Sequence, residues 1–215
     1  MRKTLLAMIL ATTLMVALKS AVGQINVLII GSTQDSASNG SIIGESDPFN
    51  PTEIKTQLES ILHGASLGLG SVTVTLENPG FPYGLAVWYH YPLPADVDVN
   101  TRWPLLRGAS GTNWDHVILI GDPYTMEKLP GLYAQGVAKI AEEVALGTSN
   151  MTKPVETVLL MPWPAPASSS TVAHYKEVVY RTGRSGGYKV APAALAWQAD
   201  GADSAGLHCG SFSLQ

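Results

Sequence analysis

Two short, mainly aliphatic runs, each followed by a glycine, constrain the possible fold of this chain most. The first is residues 25–30, Ile-Asn-Val-Leu-Ile-Ile, which is followed by Gly31. The second is residues 115–120, Asp-His-Val-Ile-Leu-Ile, which is followed by Gly121. An apolar run without polar alternation is typical of a strand buried on both faces, as in a parallel sheet. We therefore predict that both runs are central strands of an α/β domain.

Three further strand-like segments alternate with helical patterns along the rest of the chain. Residues 72–76 are β-branched and alternate in polarity, which predicts an edge-like strand, and residues 155–161 and 188–191 complete the set. Amphipathic helical patterns follow Asn50, begin at Gly131, and follow the serines at 168–170. We predict a three-layer α/β/α, flavodoxin-like domain with a parallel sheet of about five strands in the order 2-1-3-4-5. The side chains expected to face the core from the two later helices are Leu132, Val137, Ile140, Ala141, Val144, Val172, Tyr175, Val178 and Val179.

The N-terminus has the pattern of a secretory signal peptide. Arg2 and Lys3 precede an apolar run over residues 5–18, and small residues occupy positions 21–23. The apolar run is short for a membrane span. We expect residues 1–23 to be removed, residues 24–215 to form a single domain, and the product to be secreted or periplasmic without a membrane anchor.

Charge and cysteine content narrow the classes of partner and cofactor. Removing residues 1–23 takes away three basic residues and no acidic one, so the formal net charge changes from −4 to −7. An acidic chain without a basic run is not expected to bind nucleic acid or anionic membranes. Cys209 is the single cysteine, and no Cys/His spacing typical of a structural metal site is present. Gly31 is not followed by a glycine pattern typical of nucleotide binding. Together, the absence of these two patterns leads us to expect neither a metal nor another cofactor.

A hydroxyl-rich loop follows the first predicted strand. It contains Ser32, Thr33, Asp35, Ser36 and Ser38. Ligands of open α/β sheets bind beyond the carboxyl ends of the strands, so a nucleophile could lie in this loop. The same residue types are also common in turns and helix caps.

The long connection of residues 78–113 is rich in proline and aromatic residues. Trp88, Tyr89, His90, Tyr91 and Trp103 lie within it. These side chains could line a ligand pocket or form a satellite core beneath the connection, and the sequence leaves both interpretations open.

Three segments in this order resemble the conserved blocks of the SGNH/GDSL hydrolase family. Residues 35–38, Asp-Ser-Ala-Ser, resemble part of its opening Gly-Asp/Asn-Ser-x-Thr/Ser block, although Gly31 lies three residues further upstream. Residues 114–121 resemble the strand that leads to the oxyanion-hole loop. Residues 190–197 resemble the Val-x-Pro-x-x-x-Ala-Trp strand that precedes the Asp-x-x-His block, and an Asp and a His follow as Asp203 and His208.

The resemblance implies a serine hydrolase site. It makes Ser36 the nucleophile, His208 the general base and Asp203 the residue that orients the base. The candidates for oxyanion or substrate contacts are Gly31, Gly121 and Asp122, and the reserve candidates are Ser32, Thr33, His90 and Asp200. If the loop after the first strand is not extended, Thr33 would take the nucleophile position.

The sequence departs from the family pattern in three places. Asp122 stands where the family usually has an Asn or Gln for the oxyanion, and a carboxylate would repel that charge. Four residues separate Asp203 from His208 where the family has two. The chain ends seven residues after His208, without the expected final helix, so its C-terminus is either truncated or different.

Two functions therefore stay open. The first is an exported serine esterase or acylhydrolase that acts on a small acyl ester, including one linked to carbohydrate. The second is a non-catalytic SGNH-like binding domain that holds a glycan or similar ligand in the aromatic 82–103 region. Asp122 and the wide spacing between Asp203 and His208 favour the binding domain. Asp35 directly before Ser36, and a histidine in the right order along the chain, favour the enzyme. We prefer the enzyme as the working hypothesis.

Overall fold

A computed structural model describes residues 24–31, 56, 59–60, 72–77, 85, 103–108, 111–121, 123–147, 153–162 and 172–199 of the chain. Its centre is a five-stranded sheet with the order β2-β1-β3-β4-β5, in which every neighbouring pair is parallel. The strands are β1 (Ile25–Gly31), β2 (Val72–Glu77), β3 (His116–Ile120), β4 (Glu156–Leu160) and β5 (Lys189–Ala191). The predicted strand order 2-1-3-4-5 is confirmed, and each predicted strand is present to within a residue or so at its ends.

Helices flank this sheet as in a three-layer α/β/α fold. They are α1 (Pro123–Lys128), α2 (Pro130–Leu146), α3 (Val172–Gly186) and α4 (Ala193–Ala199), and residues 103–106 form a further short helical segment. None of the helices in the described ranges combines the length and apolar character that crossing a bilayer demands. The predicted signal peptide, residues 1–23, lies outside the described residues.

The two aliphatic runs form the centre of the core, as predicted. Residues 27–30 of β1 have no solvent exposure, and every residue of β3 is buried. The alternating strand β2 lies at the edge of the sheet, with Val72 and Val74 buried and Thr73 exposed between them. The edge-like character predicted for residues 72–76 is therefore confirmed.

The buried face of α2 differs from the predicted one. Val137, Ile140 and Val144 are buried as expected, whereas Leu132 and Ala141 are only partly buried. The buried stripe also includes Tyr133, Gly136 and Glu143. The stripe is rotated because the ring of Tyr133 fills the space beside Gly121 at the end of β3. On α3 the predicted core residues Val172, Tyr175, Val178 and Val179 are all buried.

The last strand is shorter than the family resemblance implied. Only Lys189–Ala191 pairs with β4, and the chain then forms helix α4 from Ala193 instead of continuing as a strand through residues 190–197. The carbonyl of Pro192 accepts hydrogen bonds from the amides of Leu195 and Ala196, at 3.1 and 3.2 Å, which starts the helix. Alanine and leucine are the strongest helix formers, so the local sequence after Pro192 decides the outcome.

An ion pair fixes the end of the long connection against α2. Arg107 donates from Nε and Nη2 to Glu143 Oε2 at 2.8 and 2.5 Å, and Lys139 Nζ lies 3.1 Å from Glu143 Oε1. Burial by itself would raise the pKa of the Glu143 carboxyl, but the hydrogen bonds from Arg107 and Lys139 outweigh it and hold the pKa below its ordinary value. Residues 103–108 are therefore anchored to the domain.

Candidate functional site

The register of the sheet brings the carboxyl ends of four strands to one edge. Gly31 at the end of β1 is paired with Ile120 at the end of β3, and Ile120 is paired with Leu160 of β4. Leu160 is in turn paired with Ala191, the last residue of β5. The segments that follow these strands all leave the sheet at this edge, where open α/β sheets bind their ligands.

Gly31 lies in close contact with β3. A Cβ atom at this position would lie 2.6 Å from the Cβ of Ile120, a separation that real Cβ atoms essentially never show. Glycine is therefore required here by the close approach of β1 and β3. Gly31, the residue that precedes the hydroxyl-rich segment in the sequence, consequently lies directly beside the end of β3.

Gly121 marks the corresponding point on β3 and is covered by two side chains. A Cβ atom here would lie 2.6 Å from Met126 Sδ of α1 and 2.6 Å from Tyr133 Cε2 of α2. Met126 and Tyr133 are themselves almost completely buried. The end of β3 thus lies beneath α1 and the first turns of α2.

The structure describes two of the predicted site residues, Gly31 and Gly121, and brings them to the same edge on adjacent strands. The other predicted site residues lie outside the described residues: Ser32, Thr33, Ser36, His90, Asp122, Asp200, Asp203 and His208. The roles implied for them by the family resemblance stay predictions. Helix α4 occupies residues 193–199, so Asp200, Asp203 and His208 follow a helix and not a loop that begins directly at β5.

His116 is separated from this edge by the length of its strand. It is the first residue of β3, at the amino edge of the sheet, and it is 5 % exposed. Its Nδ1 atom lies 3.1 Å from Glu156 Oε2. Burial lowers the pKa of His116 below its ordinary value, against the opposing effects of Glu156 and Asp115. His116 therefore belongs to the architecture of the sheet and not to the carboxyl edge.

His174 lies at the carboxyl edge, although the sequence analysis did not select it. It is in the first turn of α3, the helix that follows β4, and its Nε2 atom lies 3.3 Å from the carbonyl oxygen of Met126. The signal that could have identified it is its position. A histidine in the first turn of a helix after a parallel strand lies at the carboxyl end of the sheet.

Two further observations bear on the predicted ligand chemistry. In the described part of the chain, no group of three or more His, Cys, Asp or Glu side chains is arranged to hold a metal ion. Trp103, the described member of the aromatic set in the long connection, is partly buried and packs against the core. For Trp103 the satellite-core interpretation is therefore the better one, and the other aromatic residues of 82–103 named above lie outside the described residues.

Comparison with known proteins supports the resemblance at the level of the fold. No family model matches the chain, and no curated protein matches it. Among solved structures, it is similar to a protein described as "a putative SGNH hydrolase" from Slackia heliotrinireducens, with a TM-score of 0.53 and 15% sequence identity. The match covers 82% of this chain and 83% of that one. The domain thus has the α/β/α fold seen in that protein.

Proposed function

We propose that this protein is an exported serine ester hydrolase that acts on small acyl esters, including esters of carbohydrates. The observation that supports this most is the pairing of Gly31 with Ile120, beside Gly121. In the sequence, Gly31 directly precedes the serine-rich segment, and Gly121 ends the block that resembles the strand leading to the oxyanion hole. A nucleophile and the donors for its oxyanion must come from neighbouring segments of the chain. The ends of β1 and β3 are two such neighbours at this edge.

The proposed chemistry is acyl transfer through Ser36. The Ser36 hydroxyl attacks the ester carbonyl while His208 removes its proton, and Asp203 orients the imidazole. The proton then passes from His208 to the leaving alcohol, and water hydrolyses the acyl-enzyme by the same route. The Asp122 carboxylate would repel the developing negative charge, so the side chain of Asp122 cannot be the oxyanion donor. The proposed donors are instead the backbone N–H groups of Ser36 and Asp122.

The distribution of described histidines agrees with this assignment. His116 is buried at the amino edge, and His174 is in contact with a backbone carbonyl at the carboxyl edge. Both imidazoles therefore already contact an acceptor within the described domain. His208 remains our candidate for the base.

Labelling with a fluorophosphonate, followed by identification of the modified peptide, tests the nucleophile. We expect label on Ser36 in the wild type and none in Ser36→Ala. Ser185→Ala is the matched control, because Ser185 is exposed near the C-terminal end of α3, at the opposite end of the sheet. It should label as the wild type does. Label on Ser32 or Thr33 would transfer the role to that residue.

Kinetics on p-nitrophenyl acetate test whether Ser36 and His208 act together. Ser36→Ala and His208→Ala should each lower kcat by several orders of magnitude, and the double variant should be little worse than either, because residues of one catalytic unit are strongly non-additive. Losses that multiply independently would contradict the assignment. A folded wild-type protein that neither labels nor hydrolyses esters, but binds glycans, would favour the binding-domain alternative.

A further inference from the structure

The carbonyl group of Met126 occupies a position where the helix cannot satisfy it. In an α-helix this oxygen would accept from the amide four residues on, which is Pro130, and proline has no N–H group. The amide of Leu129, three residues on, donates instead to Thr125 O at 2.8 Å. Met126 has no solvent exposure. A buried carbonyl in this position needs a donor from another element.

His174 provides that donor. Its Nε2 atom lies 3.3 Å from Met126 O, across from α3 to α1. Since a carbonyl oxygen only accepts hydrogen bonds, the contact assigns the proton to Nε2. The donor is present in both the neutral Nε2–H tautomer and the imidazolium form.

The same residue, Met126, covers the end of β3. Its Sδ atom lies 2.6 Å from the position that a Cβ atom on Gly121 would take. Helix α1 has only six residues, and a helix of that length has little stability by itself. Its position over Gly121 therefore depends on contacts with its neighbours, and the His174 hydrogen bond fixes the backbone of the residue that makes the covering contact.

We propose that His174 is a positioning residue that holds α1, and through Met126 the end of β3, in place at the carboxyl edge. It acts on the backbone of α1 and not on a substrate. The consequence for catalysis rests on the proposed hydrolase function, since Asp122, the residue between Gly121 and α1 in the sequence, is the proposed oxyanion donor. The structural part of the proposal does not depend on that function.

Amide hydrogen exchange tests the structural part. In His174→Leu, exchange of the amides of residues 124–129 should become roughly tenfold faster, the factor expected for loss of one buried hydrogen bond. Exchange in residues 135–146 of α2 should stay as in the wild type.

His174→Gln should restore protection, because its amide Nε2–H can reach the same carbonyl. His174→Asn should not, because its shorter side chain places the donor near the Nδ1 position. Lys176→Leu is the control for adding an apolar residue to α3.

The results separate this proposal from the proposed function. Faster exchange confined to α1 and rescued by glutamine supports the positioning role, whether or not the wild type hydrolyses esters. Unchanged exchange in both His174→Leu and His174→Asn overturns it. Equal acceleration in α1 and α2 without rescue by glutamine also overturns it, since His174 would then only stabilise the domain. If the wild type is active, His174→Leu and His174→Asn should lower kcat with little change in KM. An unchanged kcat in these two variants overturns the catalytic consequence.

Discussion

At the scale of single residues, Gly31 shows how closely the fold constrains the candidate site. A Cβ atom there would meet the Cβ of Ile120, which is part of the main-chain geometry of β3 and cannot rotate away. Both neighbouring segments are buried, so relief requires movement of a strand. The glycine at the start of the serine-rich loop is therefore a packing requirement of the sheet, whatever the chemistry of the loop.

Gly31→Ala should lower the free energy of unfolding by about 1–3 kcal/mol, the usual cost of overpacking a core. Gly131→Ala is the matched control, because a Cβ atom at Gly131 meets nothing within 4 Å on the exposed side of α2. That variant should raise the free energy of unfolding by up to about 1 kcal/mol through helix propensity. Urea unfolding of the three proteins measures both effects. Equal stability of Gly31→Ala and the wild type would contradict the close approach.

At the scale of elements, charged groups connect four strands at the amino edge, opposite the candidate site. Glu156 of β4 accepts from His116 of β3 and forms an ion pair with Lys189 of β5. Asp115 pairs with Lys153 and also accepts from the amide of Asn26 at 2.8 Å, which joins β1 to the network. This edge places the buried imidazole of His116 among partly exposed neighbours of both signs.

The pH dependence of stability follows from the His116 pKa, which burial lowers below its ordinary value of 6.5. In the relevant pH range the unfolded chain binds more protons than the folded one, so the free energy of unfolding rises with pH. The contribution is fully present above about pH 6.5, the ordinary histidine value, and is lost as the pH falls through the folded-state pKa. One proton limits the slope to about 1.4 kcal/mol per pH unit.

His116→Asn provides the comparison, because its amide can donate to Glu156 from near the Nδ1 position and does not titrate. Urea unfolding of both proteins between about pH 8 and pH 5.5 should show a larger loss for the wild type than for the variant. If the free energies of unfolding of the two proteins fall in parallel with pH, His116 does not change its protonation on unfolding. If the wild type gains stability relative to the variant at lower pH, the pKa of His116 shifts in the opposite direction.

At the scale of the whole molecule, the first strand of the sheet follows closely after the predicted signal peptide. β1 starts at Ile25, and Gln24 Nε2 donates to Asn26 Oδ1 at 3.1 Å and to Thr73 Oγ1 of β2 at 3.2 Å. Residue 24 is thus already tied to the sheet. A cleavage before Gln24 would leave all of β1 intact.

N-terminal sequencing of protein secreted by the expressing cell should therefore begin at Gln24. Leu14→Arg, which interrupts the apolar run, should retain the protein inside the cell with Met1 or its neighbour at the N-terminus, while Leu14→Ile should be exported and cleaved normally. Exported protein that keeps residues 1–23 would show that the segment is not a cleaved signal, and export of Leu14→Arg would show that the apolar run is not the signal.

The sheet was predictable because its signals are local and strong. Continuous aliphatic runs identify strands buried on both faces, and alternation identifies an edge strand, since side-chain burial follows the period of the backbone. The order 2-1-3-4-5 follows from these signals together with the usual connections of parallel strands. The predicted last strand, residues 188–191, is confirmed, and residues 193–199 depart from the strand of the family block because their alanine-rich sequence favours a helix.

The sequence by itself therefore determined the type of each central element, the parallel sheet and the edge to which Gly31 and Gly121 belong. Only the tertiary structure decided the burial of Tyr133 and Glu143 and the contact between His174 and Met126. These depend on how elements rotate and pack against one another, which no local period encodes. Residues 174 and 126 meet because α1 and α3 both begin at the carboxyl edge of neighbouring strands. Proline at position 130 then leaves the carbonyl of Met126 in need of a donor that only a neighbouring helix can supply.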